Sequence, residues 1–428
     1  MKIVLISTYE LGHQPFGLAS PKAWLVRDGH QVHSVDLAVE RLPEGIVRDA
    51  DMIAFYLPMH TATRLAVPVI DRVKRLNPGA RLAAYGLYAP LNEELMQGLG
   101  IEAIAGGEFE PSLVAFARGE NAPRVALDRL QFLKPDRSEF SADYARLRHN
   151  GAAKQVAYTE ASRGCKHLCR HCPIVPVYHG QFRIVQREVV LDDIRQQITA
   201  GAQHVTFGDP DFFNGPTHAI RIAEALHAEF PEVTYDATIK IEHLLKHRDL
   251  LPALRDTGCL FITSAVESVD DAILARFEKN HTRRDFFDAV ALTRECALTI
   301  QPTFIAFTPW TTIDGYRDFL RVLADLDLVE NVPPVQLALR LLITSKSRLL
   351  ELDDIEVGPF DPKLLVYPWK HRDSDVDRLA ARAFGIIGVE RTRSEIFRDV
   401  ADLVDLPLEN HDLIPRAAIP YLDEPWYC

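Results

Sequence analysis

Cysteine is scarce in this chain, six in 428 residues, and half of it falls in one short run. Outside that run stand only Cys259, Cys296 and Cys428, so a four-cysteine zinc or ferredoxin-type centre finds no local fourth thiolate. Positive charge is short as well. Lys and Arg number 48 against 60 Asp and Glu, a net charge of -12, which argues against a nucleic-acid or anionic-membrane partner and for a small substrate. Long hydrophobic runs are missing: the apolar stretch in MKIVLISTYELG is too short for a signal-peptide core, and no later run could span a bilayer. The expected location is therefore cytoplasmic, where thiols stay reduced and clustered cysteines read as metal-binding or catalytic. GxGxxG and P-loop runs are also absent, which removes the usual phosphate cradles.

What is present is an ordinary globular composition, 47% apolar and 25% charged, in a chain long enough for two or three domains. Residues KIVLIS, QVHSVDL, DMIAFYLP, ARLAAYG and IEAIAGG alternate with helical stretches, which predicts an α/β, doubly wound parallel domain over 1–120. Its strands end in polar loops: Tyr9 to Gln14, Pro58 to Thr63, Gly86 to Tyr88 and Gly106 to Glu108, where such sheets bind ligands. Residues 121–150, with Pro123 and Pro135, read as a linker. A second alternation follows over 151–345, QVAYTEAS, HVTFGD, VTYDATI, LFITSAVE, PTFIAFT and VQLALRLLI, six units that predict a partial TIM-type barrel. Residues 346–428 form an irregular and helical extension ending YLDEPWYC.

The cysteine run, SRGCKHLCRHCPIVPVYHG, follows the first barrel strand with spacing C-x3-C-x2-C on Cys165, Cys169 and Cys172. Spacing alone leaves three readings: structural thiols, a zinc site completed by His167, His171 or His179, or a 4Fe-4S cluster with one iron lacking a protein ligand. Such an iron can chelate an amine and a carboxylate. Arg340, inside the apolar VQLALRLLI, predicts a buried guanidinium in need of an anion.

The spacing, framed by Ser162-Arg163-Gly164 and Pro173, resembles the radical S-adenosylmethionine (SAM) superfamily, and the likeness runs along the barrel to about residue 345. The resemblance implies a 4Fe-4S cluster on the three cysteines and SAM on its open iron. His171 departs from the aromatic residue usual before the last cysteine, and is expected to pack on the adenine. GDPDFFNG stands where the family carries an acidic or Gly-rich turn meeting the SAM amino group, which implicates Asp209 and Asp211. Ala265-Val266-Glu267-Ser268 resembles the Gly-Ile-Glu-Ser turn near the SAM ribose and carboxylate, with Lys240, Glu242 and Arg340 as further cofactor-binding candidates.

PFGLASPKAWLVRDGHQV and GGEFE are similar to a cobalamin-binding domain, although no Asp-x-His-x-x-Gly run is present, and the resemblance leaves cobalamin open. The ending resembles a subgroup with Cys-Cys-Ala-Glu-Pro or Cys-selenocysteine-Ala-Glu-Pro tails, cut after the first position; a selenocysteine codon read as stop would account for that. With the loops STYELGHQPFGLASP and LPMHTATRLA, this tail is similar to radical SAM enzymes of arsinothricin biosynthesis. That resemblance implies transfer of the 3-amino-3-carboxypropyl group of SAM to trivalent arsenic, Cys428 as the catalytic thiol presenting arsenite, and an electron donor such as flavodoxin. The alternatives are a cobalamin-dependent radical SAM methyltransferase and a SAM- or metal-sensing binding protein.

Overall fold

A computed structural model describes residues 1–140, 144–149, 151–388, 391–409, 413 and 421–423. The first sheet contains β1 (Lys2–Ser7), β2 (Gln31–Asp36), β3 (Met52–Tyr56), β4 (Arg81–Tyr85), β5 (Ala103–Gly107) and β6 (Val125–Ala126), in the order β2-β1-β3-β4-β5-β6 and all parallel. The central strands are apolar on both sides because helices cover both faces. In helix His60–Leu76, for example, Ala62, Ala66, Ile70 and Val73 are buried, one stripe at helical spacing. Winding reverses between β1 and β3, so a crevice opens at their carboxyl ends. β6 carries the domain beyond residue 120 into the predicted linker. Its pairing needs Gly107, whose φ is 67° and whose added Cβ would lie 2.2 Å from the Ala126 carbonyl oxygen.

The second sheet opens with β7 (Arg146–His149), also from the predicted linker, antiparallel to β8 (Ala152–Thr159). A short antiparallel pair, β9 (Ser162–Gly164) and β10 (Phe182–Ile184), brackets the cysteine loop. Parallel strands β11 (His204–Phe207), β12 (Thr234–Thr238), β13 (Cys259–Glu267) and β14 (Ile300–Phe304) follow from β8 and curl into a half-barrel. The sixth run, VQLALRLLI, is reduced to one parallel bridge between Phe307 and Arg340. Pro333 and Pro334 lead instead into a 3₁₀ turn, Pro334–Leu337, because proline offers no N–H to a ladder.

The described helices of the extension pack on the barrel. Helices Ser374–Ile386 and Arg393–Asp402 press Val376, Leu379, Ala383, Ile396, Phe397 and Val400 into the barrel core, the second helix starting from a Thr392–Glu395 capping box. A last strand, β15 (Tyr421–Asp423), pairs antiparallel with β7 and so runs in the direction of β8. Among the described residues no helix is long and apolar enough to cross a membrane.

Candidate active site

β8 delivers the chain to the mouth of the half-barrel, where the cysteine loop begins. Gly164 makes the entry possible: its φ is 74°, and an added Cβ would lie 2.3 Å from the Tyr178 ring. Cys165 and Cys169 are buried, Cys172 is partly so, and all three are free thiols. A tight turn, Cys172 N–H to Cys169 O at 3.2 Å, brings them together. Burial raises the Cys165 thiol, and burial with the Cys169 and Cys165 charges pushes Cys172 up to about 12. Ionising Cys165 and Cys172 is thus unfavourable here without a compensating cation, and Lys240 Nζ, 3.7 Å from Cys169 Sγ, is one monocation. This donor set fits an iron-sulfur cluster, whose irons supply the remaining positive charge.

Opposite the loop, β13 ends in Glu267 with a φ of 72°, a left-handed conformation costly for a residue with a side chain. Its carboxylate lies 3.3 Å from His171 Nε2 and 3.4 Å from Lys279 Nζ. Burial alone would raise the Glu267 carboxyl, but the Lys279 ammonium and the His171 hydrogen bond outweigh it and hold the group at about 2. Glu267 is therefore a fixed carboxylate. The His171 ring packs on Phe277 at 4.6 Å, and the Ser268 hydroxyl accepts from the Asp270 N–H at 3.1 Å.

The two aspartates of GDPDFF part company. Asp209 accepts from the Ala161 N–H at 2.9 Å and the Ser162 hydroxyl at 2.5 Å, tying the second strand's loop to the first, and burial pushes its carboxyl up to about 7. Asp211 caps Phe213 and faces His243 and His167, while Glu242 faces the other side of His167 at 3.5 Å. Arg340 is not a buried cation awaiting an anion. Its side chain is 35% exposed, pairs with Asp377 at 2.7 Å and stacks 4.0 Å over Trp369, because the chain after the barrel supplies the partner. Cys428 lies outside the described residues. Cys259 is buried at the start of β13, and Cys296 caps helix Arg283–Glu295, as core cysteines do.

One constellation escaped the sequence reading. Arg163 is buried and binds Glu110 through Nη1 at 2.9 Å and Nη2 at 2.7 Å, Glu160 through Nε at 2.6 Å, and stands 3.7 Å from Glu108. Glu108 and Glu110 follow β5, so this clamp joins the two domains beside the first cysteine. The signal was the spacing Glu160-x-x-Arg163 together with the two acids of GGEFE. Between the domains lies a cavity of about 650 Å³, reached by Glu10 and His13 from the first and by Glu160 and Asp209 from the second. Burial pushes Glu10 well up, assisted by Glu160 and Asp36, and lowers His13 to about 4. Glu10 Oε2 and His13 Nδ1 have no hydrogen-bond partner among the described residues.

A curled parallel sheet carrying three cysteines on its first loop defines a class, and residues 159–320 match the family model of the radical SAM superfamily. The chain carries a radical SAM domain over these residues. Among curated proteins it is similar to the hopanoid C-3 methylase of Methylococcus capsulatus, 25% identical over 323 residues, which cover 69% of this chain and 62% of that one. It is also similar to the tRNA-2-methylthio-N(6)-dimethylallyladenosine synthase of Chloroherpeton thalassium, 27% identical over 237 residues, covering 52% and 49%. The matched part thus spans less than two thirds of either relative. Among solved structures, the cobalamin-dependent SAM radical enzyme OxsB, with aqua-cobalamin and SAM bound, superposes with a TM-score of 0.67 at 12% identity, over 94% of this chain and 71% of that one. The methyltransferase TsrM from Kitasatospora setae, with cobalamin and a 4Fe-4S cluster bound, gives 0.57 at 15%, over 76% and 70%. These likenesses show the fold, first domain included.

Proposed function

We propose that this chain transfers a methyl group from SAM to a small acceptor held between its two domains, with cobalamin bound at the carboxyl ends of the first sheet. The observation that carries the reading is the cavity of about 650 Å³ shared by those strand ends and the barrel mouth. Cys165, Cys169 and Cys172 would hold the cluster, which would supply the one-electron reduction of the SAM sulfonium, with a donor of flavodoxin type as the source of the electron. Lys240 balances charge at Cys169, and Glu267, held ionised by Lys279, accepts hydroxyl donors of the SAM ribose. Asp209 holds the cysteine loop against the second strand. The first-domain residues fit a corrinoid through its amide rim, since Glu10 Oε2, on a carboxyl that burial pushes well up, and Nδ1 of the His13 imidazole, which burial lowers to about 4, are unpartnered there. Cobalamin, when bound, supplies a methyl carrier.

A second reading is transfer of the 3-amino-3-carboxypropyl group to trivalent arsenic. It rests on Cys428, a thiol outside the described residues that is not one of the three in the cysteine loop. Arsenite prefers thiolate ligands. Product analysis with reductant and SAM decides: 5'-deoxyadenosine with S-adenosylhomocysteine supports methyl transfer, and methylthioadenosine supports the second reading. If neither nucleoside exceeds a Cys165→Ala control, both readings fail.

A further inference from the structure

The barrel side of the shared cavity is polar, where the interior of a parallel barrel is ordinarily packed with branched apolar side chains. Leu147, Val156 and Phe261 fill it near the strand starts. Beyond them Thr206 of β11, Asp236 and Thr238 of β12, Thr263 of β13, and Gln301 and Thr303 of β14 line the cavity. Strand alternation puts them there. The intervening Val205, Tyr235, Ala237 and Ile262 are buried against the helices, so the polar set faces inward.

Asp236 anchors this set. It is 7% exposed, and its Oδ1 accepts from the Thr206 hydroxyl at 2.6 Å and lies 2.8 Å from His204 Nε2. His204 is held in turn, with Nδ1 2.8 Å from the Thr234 hydroxyl, which accepts from Lys154 Nζ at 3.1 Å. A neutral imidazole donating through Nε2 satisfies this chain. The carboxylate is thus fixed by one oxygen, while Oδ2 makes no hydrogen bond and no lysine or arginine pairs with Asp236 among the described residues. Other charges in the cavity do not answer it. His13 feels the Asp236 charge, yet burial lowers that imidazole to about 4, so it supplies no cation at neutral pH. Arg163 is committed to Glu108, Glu110 and Glu160.

A buried carboxylate is costly unless a cation or several donors meet it, and only half of this one is met. A protonated amine offers the missing charge together with donors for Oδ2. The side chains of Thr238, Thr263, Gln301 and Thr303 also make no hydrogen bond among the described residues. Their hydroxyls and amide both donate and accept, which suits hydroxyl groups beside the amine.

We propose that the acceptor is a small molecule carrying a protonated amine and neighbouring hydroxyls, seated in the half-barrel with its amine on Asp236. This rests on the reading that an acceptor lies between the two domains, and it narrows the class of that acceptor.

The test measures binding, without reductant, to cluster-reconstituted full-length protein supplied with cobalamin and SAM. The probes are two matched sets: glucosamine, glucose and glucuronate, and serinol, glycerol and glycerate. In at least one set the amine should bind on the order of tenfold more tightly than the alcohol, and the carboxylate more weakly still. Asp236→Asn, which keeps the shape and an acceptor for Thr206, should remove that preference at unchanged iron content. Thr263→Val should weaken amine and alcohol together and leave the preference in place. Absence of an amine preference in both sets overturns the proposal, and so does a preference of full size in Asp236→Asn. If Asp236→Asn fails to hold its cluster, the comparison within the unaltered protein still decides. Because binding is read without turnover, an amine preference with neither nucleoside product upholds the pocket and sinks methyl transfer. Deoxyadenosine and S-adenosylhomocysteine without an amine preference leave methyl transfer standing and overturn the amine.

Discussion

Replacing Arg163 with methionine leaves Glu108, Glu110 and Glu160 buried without the guanidinium they share. Met keeps much of the packing against the Phe109 ring, over which the guanidinium sits at 4.6 Å, so the loss is mainly electrostatic. Removing one partner of a buried ion pair costs about 3–5 kcal/mol. At about 2–4 °C per kcal/mol for a unit of this size, the melting temperature should fall by roughly 6–20 °C. The fall should also depend on pH with a definite sign. Burial already holds Glu108 at about 7 and raises Glu160 while the arginine is present, and its removal moves both further up. A carboxyl whose folded pKa exceeds its unfolded value contributes its full stability below the unfolded value and loses it as pH rises through the folded one. The deficit of Arg163→Met should therefore be largest near pH 8 and shrink toward pH 5. Arg163→Lys, keeping charge but not the two-pronged bond to Glu110, should fall between. Calorimetry of the three proteins at pH 5.5 and 8 reads this directly; a deficit below about 2 °C, or one equal at both pH values, refutes the clamp.

Cys165→Ala should abolish the visible absorption of the reconstituted cluster and all reductive SAM cleavage, checked by spectrum and nucleoside analysis. Lys279→Met removes the largest influence holding Glu267 at about 2, so its carboxyl should climb into a range where acid stabilises the fold. Urea midpoints of that variant should rise more from pH 8 to pH 5.5 than those of the wild type measured in parallel. Arg340→Ala should lower stability by about 1 kcal/mol, the scale of a half-exposed pair, and change the KM for SAM less than tenfold, since its anion is Asp377. A large KM effect would return Arg340 to the cofactor.

The parts of the site that were legible in the sequence are local in the chain. Cys165, Cys169 and Cys172 sit within one turn-forming loop, so spacing alone exposes three donors, and alternating apolar runs expose both sheets because strand periodicity is written into consecutive residues. The sixth barrel strand read as a strand for the same reason and was stopped by Pro333 and Pro334, which periodicity does not weigh. Partners that are distant in sequence were not legible. Arg340 looked unpaired because Asp377 is supplied by a helix that only the folded extension brings back, and Arg163 looked like motif framing because Glu110 reaches it from another domain. Sequence by itself determined that three thiolates share a loop at the mouth of a parallel half-barrel. Which charges oppose them, which domain walls the cavity, and which histidines and carboxylates gather beside Cys165 were decided by tertiary structure alone, because electrostatic and ligand-field interactions act over a few ångströms of space, whatever the separation along the chain.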